Sequence, residues 1–258
     1  MLHWPDSMMT FFCNDNVLFS QDNFGMHLAT LNIFTDGHSK GILDYESSKY
    51  FANILLPYSP LILKMLKQLT KLNIKINMIA PDHGPIWNKE TSIQWILESY
   101  KRWSIQKPNK KAVFLYDTIQ RSTFRIAEFI SDRLAKEGVP SYLMDVNISH
   151  RSNVMTELLN AGILVIGSTE INSHLPASMS DMLCYIKGLS PKNLIGQAFL
   201  SYKKSSSPIF VLQQALKDMA VRLIADPILT HHSETNESLS NCHTLAHQLS
   251  EHIRDDVF

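Results

Sequence analysis

The sequence predicts an α/β fold in two parts, the second built on a doubly wound parallel sheet. Three observations lead there. From residue 111 onward, short apolar runs alternate with amphipathic segments, the pattern of a parallel sheet covered on both faces. The stretch SIQKPNKK at 104–111, with Pro108, Asn109 and a lysine cluster, separates that half from one of mixed pattern. Loops rich in hydroxyls follow several of the apolar runs, where such sheets bind ligands.

In the first half, MMTFFCNDNVLFS reads as a strand, a turn at Asn14-Asp15-Asn16 and a second strand. Residues 45–71 are helical, divided near the middle by Pro57 and Pro60. INMIAP is a short buried strand, and 89–103 is an amphipathic helix carrying Ile93, Ile96, Tyr100 and Trp103. In the second half KAVFLYD is an apolar strand, and STFRIAEFISDRLAKEG is a helix with a hydroxyl at its start and Gly138 at its end. PSYLMDV, ILVIGS, NLIGQAFLS and RLIADPI continue the strands; VMTELLNAG, ASMSDMLCYIKGL and IFVLQQALKDMAV are the helices between them. From 231 the chain becomes rich in Ser, His and acids, with only Leu245, Leu249 and Ile253 as a thin apolar stripe. A frayed helix in a solvated tail is expected, its histidines too irregularly spaced to define a metal site. The expected organisation is 1–106, 109–230 and a polar tail 231–258.

Lys plus Arg and Asp plus Glu are 24 each, so no basic face points to nucleic acid or an anionic membrane. The cysteines Cys13, Cys184 and Cys242 are far apart and form no CxxC pair, which fits a reducing cytoplasm better than a disulfide framework. No run approaches the roughly 18 to 20 apolar residues that a membrane span needs.

The stretch LYDTIQRSTFRIAEF carries the most chemistry. A buried strand ends at Tyr116, a helix begins at Ser122 or Thr123, and Thr118, Ser122 and Thr123 put hydroxyls around the junction. A helix N-terminus offers free N–H groups and partial positive charge, so a phosphate monoester can rest there without a lysine. Neither GxxxxGK[ST] nor GxGxxG is present. Alternatively, Ser122 or Thr123 simply caps the helix. Two further loops, GSTEINSHLPASM at 167–179 and SYKKSSSP at 201–208, belong to the same sheet edge.

These motifs resemble those of the flavodiiron proteins. YDTIQRST is similar to the family's FMN phosphate loop, YDTMWxST, and GSTEINSHLPASM to its GSPTLNNGxxPS loop. HWPDSM, FSQDNFGMH, YFANILLPYSP and IAPDHGPIW resemble, in order and spacing, the C-terminal part of the metallo-β-lactamase-like αββα domain that precedes the flavodoxin-like domain in that family. The resemblance covers about residues 1–228. It implies FMN held by Thr118, Ile119, Gln120, Arg121, Ser122, Thr123, Ser168, Thr169, Glu170, Asn172, Ser201, Tyr202 and Lys203. It further implies that His3 is a ligand of one iron of a di-iron centre, that Asp22 bridges both irons, and that His83 is a ligand of the other. His27 is expected to pack beside the ligands rather than join them.

By the same resemblance, the activity expected is electron transfer through FMN to a di-iron centre that reduces oxygen or nitric oxide. The donor would be a redox protein, rubredoxin or its reductase, and the assembly a head-to-tail homodimer. Two departures qualify this. The family's upstream HxExDH ligand motif is absent from the sequence, so the lactamase-like domain is expected to be partial and its metal site incomplete. The third flavin loop reads SYKKSSSP where SYGWSGGA is usual, and Lys203, Ser206 and Ser207 would crowd a ring that glycines let the backbone approach. In the first loop Gln120 and Arg121 replace a tryptophan and a small residue. The competing expectation is a non-catalytic remnant, a flavodoxin-like module without a working metal site.

Overall fold

The computed structural model describes residues 2–231 and 235–255. They form two compact units, divided between Gln106 and Lys107.

The first unit contains a three-stranded sheet ordered β1-β2-β3. Strands β1 (Thr10–Phe12) and β2 (Val17–Gln21) are an antiparallel hairpin, with Asn16 in the left-handed region at φ 58° closing the turn. Strand β3 (Met78–Pro81) runs parallel to β2. Between them lies the helical stretch, begun at α1 (Lys40–Tyr50), whose first turn is capped by Ser39 accepting from the Ile42 N–H. Pro57 cannot donate to an α-helical ladder, and the chain passes it through a π-helical turn, Phe51–Leu55, and a 3-10 turn, Leu56–Tyr58. Pro60 stands in the first turn of α2 (Ser59–Leu72), where a missing N–H costs nothing. Helix α3 (Glu90–Ile105) completes the unit. Its Tyr100 and Trp103 pack on Phe51 at ring-centroid distances of 5.0 and 5.3 Å, and Phe24 lies 4.6 Å from Tyr100.

The second unit alternates β4 (Ala112–Tyr116), α4 (Ser122–Lys136), β5 (Ser141–Asp145), α5 (Arg151–Leu159), β6 (Ile163–Thr169), α6 (Ala177–Leu189), β7 (Ile195–Tyr202) and α7 (Pro208–Asp218). The strand order is β5-β4-β6-β7, with the short β8 (Arg222–Leu223) beyond β7, all parallel. The order reverses between β4 and β6, so a crevice opens at their carboxyl ends. Register places Tyr116 beside Gly167 and Thr169 beside Ser201, which brings the loops after β4, β6 and β7 side by side.

Two expectations are corrected. RLIADPI is not one strand: β8 (Arg222–Leu223) pairs with Ile195–Gly196, and β9 (Ile228–His231) pairs with Phe199–Tyr202 farther along the same edge. Asp226-Pro227 falls in the gap, where proline has no N–H for the ladder, and the Gln197 side chain instead bonds the Ala225 carbonyl. Nor is the tail solvated throughout. Residues Asn236–Asp255 form α8, which buries Cys242, Leu245, Ala246, Leu249 and Ile253 in the same core as Ile126, Ile130 and Leu134 of α4. Cys242 and Ala246 supply the rest of a seam that the three large aliphatic residues alone understate. Ile253 reaches the start of β6, where a Cβ on Gly162 would lie 2.3 Å from its Cδ1. Arg254 donates to Glu137 Oε2 at 3.3 Å, and His247 lies 3.3 Å from Oε1. His232 lies outside the described residues.

Because Leu249 is fully buried, Leu249→Ala is expected to destabilise the protein by about 2 to 5 kcal/mol in denaturant unfolding. A change within about 0.5 kcal/mol, as for an exposed site, would show that α8 is not part of the core.

Candidate functional site

Two carboxylates join the three loops of the second unit. Asp117, 2% exposed, follows β4 directly. Its Oδ2 accepts from the Ser168 hydroxyl at 2.6 Å and its Oδ1 from the Thr169 N–H at 2.8 Å, tying the first loop to the second. Burial pushes its carboxyl up to about 6 against the lowering effect of those two hydrogen bonds, and Asp145 adds to the rise. Glu170 ties the second loop to the third. Its Oε2 accepts the N–H groups of Lys203 at 3.0 Å and Lys204 at 2.9 Å, and its Oε1 that of Ser173.

In the first loop Arg121 takes the cap position of α4 in the left-handed region at φ 63°, and its side chain makes no capping hydrogen bond. Thr123 turns inward to donate to the Asp117 carbonyl, so neither it nor Ser122 is the cap. The Thr118 hydroxyl is buried and has no hydrogen-bond partner among the described residues. Ile119 and Gln120 are exposed, and the Arg121 guanidinium lies 4.9 Å from the Phe124 ring centre. In the second loop Ile171 and His174 exchange backbone hydrogen bonds of 2.9 Å around Asn172 and Ser173, both at positive φ. That is a two-residue hairpin of the primed kind, with Asn172 exposed at its tip. In the third, Ser201 is buried, Tyr202 packs edge-on to His231 at 5.3 Å, and the His231 imidazole is 3.2 Å from the Lys203 carbonyl.

The first unit brings His3, Asp22 and His83 together. His3 Nε2 lies 3.3 Å from Asp22 Oδ2, and His83 Nε2 lies 3.4 Å from Oδ1. The backbone explains how residues so far apart in sequence meet. Asp82 donates to the Gln21 carbonyl at 3.0 Å and Met26 to the His83 carbonyl at 3.1 Å, which sews the loop after β3 to the loop after β2. Gly84, at φ 82°, approaches so closely that a Cβ would fall 2.7 Å from the Met26 carbonyl oxygen. Phe24 donates to the Tyr100 hydroxyl at 2.6 Å and accepts from Trp87 Nε1 at 2.8 Å, anchoring the loop that carries Asp22. Tyr50 donates to Asp22 Oδ1 at 3.1 Å, and burial first, then that carboxylate, raise its pKa. His27 lies edge-on to Tyr50 at 4.8 Å and to His83 at 5.4 Å.

Chemically, two imidazoles beside a central carboxylate are donor types that could help hold a metal such as iron. The set is short of complete: among the described residues no group of three or more His, Cys, Asp and Glu is arranged to hold a metal ion. Sequence reasoning missed Tyr50, Ser173, Lys204 and the linking role of Asp117. Only Asp117 carried a signal, as a carboxylate at the end of an otherwise apolar strand.

The fold and loops define a flavodoxin-like module that follows metallo-β-lactamase-like elements. No protein-family model matches the chain. It is 38% identical over 256 residues to a nitric oxide reductase of Moorella thermoacetica, spanning 99% of this chain and 64% of that one. The structure of rubredoxin oxygen:oxidoreductase from Desulfovibrio gigas superposes with a TM-score of 0.96 at 32% identity, covering 100% of this chain and 64% of that one. The flavodiiron protein from Giardia intestinalis gives 0.93 at 26% identity over 99% and 63%. The chain belongs to the flavodiiron protein family, and it spans slightly less than two thirds of the length of these relatives.

The folded state retains a proton on Asp117 that the unfolded state releases between pH 3.8 and about 6, so this group's contribution to stability falls as pH rises through that window. Relative to wild type, Asp117→Asn should lose that dependence, a difference on the order of 2 to 3 kcal/mol across the window in denaturant unfolding. Parallel pH profiles for the two proteins would contradict it.

Proposed function

We propose that the chain is an FMN-binding electron-transfer flavoprotein whose ligand lies across the loops 117–123, 167–173 and 201–207. The observation that carries this reading is the Thr118 hydroxyl, buried and without a partner among the described residues, beside a helix N-terminus whose cap residue, Arg121, makes no side-chain capping bond. A buried hydroxyl without a partner costs about 1 to 3 kcal/mol, and a phosphate oxygen would satisfy it. Ser122 and the first N–H groups of α4 stand at the same junction, where the helix dipole favours an anion. Asp117 and Glu170 hold the loops in register around that crevice. Bound FMN would supply one- and two-electron redox chemistry.

His3, Asp22 and His83 would hold part of a di-iron site: their donor types suit iron, and one imidazole lies near each oxygen of Asp22. A metal in such a site takes roughly four to six donors, so these residues leave most positions to other ligands. Reduction of oxygen or nitric oxide is therefore not assigned to residues 1–258 acting alone. A rubredoxin-like protein is the proposed electron donor, since the relative from D. gigas is named for rubredoxin, and a homodimer is the proposed assembly.

Purified protein titrated with FMN should quench flavin fluorescence and retain colour on desalting. Thr118→Ala combined with Ser122→Ala should weaken binding about 10- to 100-fold, the equivalent of roughly 1 to 3 kcal/mol. Unchanged affinity would move the phosphate elsewhere. After loading with ferrous iron and desalting, the chain by itself should retain fewer than two irons and consume neither gas. Two tightly held irons with turnover would overturn the incomplete-site reading.

A further inference from the structure

Glu170 carries a charge into the middle of the loop set. Three main-chain N–H groups, from Ser173, Lys203 and Lys204, converge on its two oxygens. Converging amides of this kind form an anion-binding concavity, and hydrogen bonds to a charged acceptor are stronger than neutral ones. Here the anion is a side chain of the same protein. The residue is itself held against β7, because its own N–H donates to the Ser201 carbonyl at 2.9 Å.

We propose that Glu170 is a specificity-determining residue of the flavin site, an internal anion that fills the amide nest of the third loop and withholds those N–H groups from an incoming ligand. The inference rests on the FMN reading for its ligand and on geometry for the nest. The Lys204, Ser173 and Lys203 amides hold the Glu170 carboxyl down to about 2, so it is an anion throughout the physiological range. Two consequences follow. The third loop is closed on the second by bonds made entirely within the protein. An anionic ligand entering the crevice meets a permanent like charge and finds the Lys203 and Lys204 donors taken. A neutral, shorter residue at 170 would leave the same backbone with free amides and no such charge. Glu170 therefore sets the loops in order at the expense of affinity for an anionic flavin.

Two measurements on the full chain test this. Amide hydrogen exchange at Lys203 and Lys204, without ligand, should be at least 10-fold faster in Glu170→Ala than in wild type, and added formate should restore protection by entering the vacated nest. Equal exchange in the two proteins would overturn the internal-anion role. FMN titration of the same variant should show at least 10-fold tighter binding than wild type, with the gain shrinking at high salt. Glu170→Gln, which keeps the side-chain length and one amide acceptor, should fold normally and show a smaller gain. Should wild type bind FMN and both variants bind it equally or less tightly, the specificity role fails while the FMN reading stands. Should neither wild type nor the variants bind FMN, the specificity role and the FMN reading fail together, and exchange alone decides whether Glu170 fills the nest.

Discussion

The carboxylate of Asp117 holds the ligand edge of the sheet together. It sits where β4 ends, and both of its oxygens accept hydrogen bonds from the last residues of β6. Parallel pairing alone aligns the strands but leaves the loops beyond them free to diverge. The buried charge prevents that, because any movement of the second loop away from Asp117 leaves an unpaired carboxylate in a dry environment. Its upward-shifted pKa shows that two hydrogen bonds do not fully offset the lost hydration. Glu170 repeats the device one loop farther on, with three amides in place of one amide and one hydroxyl. The crevice is thus shaped by acidic residues of the protein itself.

A neutral version of the same strategy operates in the first unit. Both polar groups of the Phe24 backbone are bonded by ring substituents, the Tyr100 hydroxyl and the Trp87 indole. Those rings are fully buried, so the loop bearing Asp22 is anchored to the aromatic core. The glycine at 84 then lets the loop bearing His83 approach within backbone hydrogen-bonding distance. Tyr50 fixes one Asp22 oxygen from the helical side. The meeting of Asp22 and His83 is in this way a consequence of core packing around Phe24.

Periodicity made most of the fold legible. The fully apolar runs of β4 and β6 and the apolar stripe of α4 have the lengths and spacings of buried parallel strands and a covering helix, and the structure has them there. Helix α8 was less legible because two of the five residues of its buried seam are Cys242 and Ala246, whose small side chains give little hydrophobic signal yet pack closely. The break between β8 and β9 was written in Asp226-Pro227 but outweighed by the apolar residues around it. Within the site, the residue types of His3, Asp22 and His83 were readable from motifs. Tyr50 was not, since its contact with Asp22 joins a helix to a loop 28 residues away and no local pattern encodes it. Glu170 was visible as a residue, but the donors to its carboxylate are backbone amides, two of them from another loop, which sequence does not display.

The docking of α8 on α4 also bears on how the chain folds during synthesis. Glu137, at the end of α4, waits for His247, 110 residues later, to reach it. At roughly 5 to 20 residues per second, translation leaves the apolar face of α4 uncovered by its partner for about 5 to 20 seconds. Closure by so distant an element also makes it a slow, non-local step in refolding. During that interval Ile126, Ile130 and Leu134 have the sheet on one side but lack the cover that α8 later gives them.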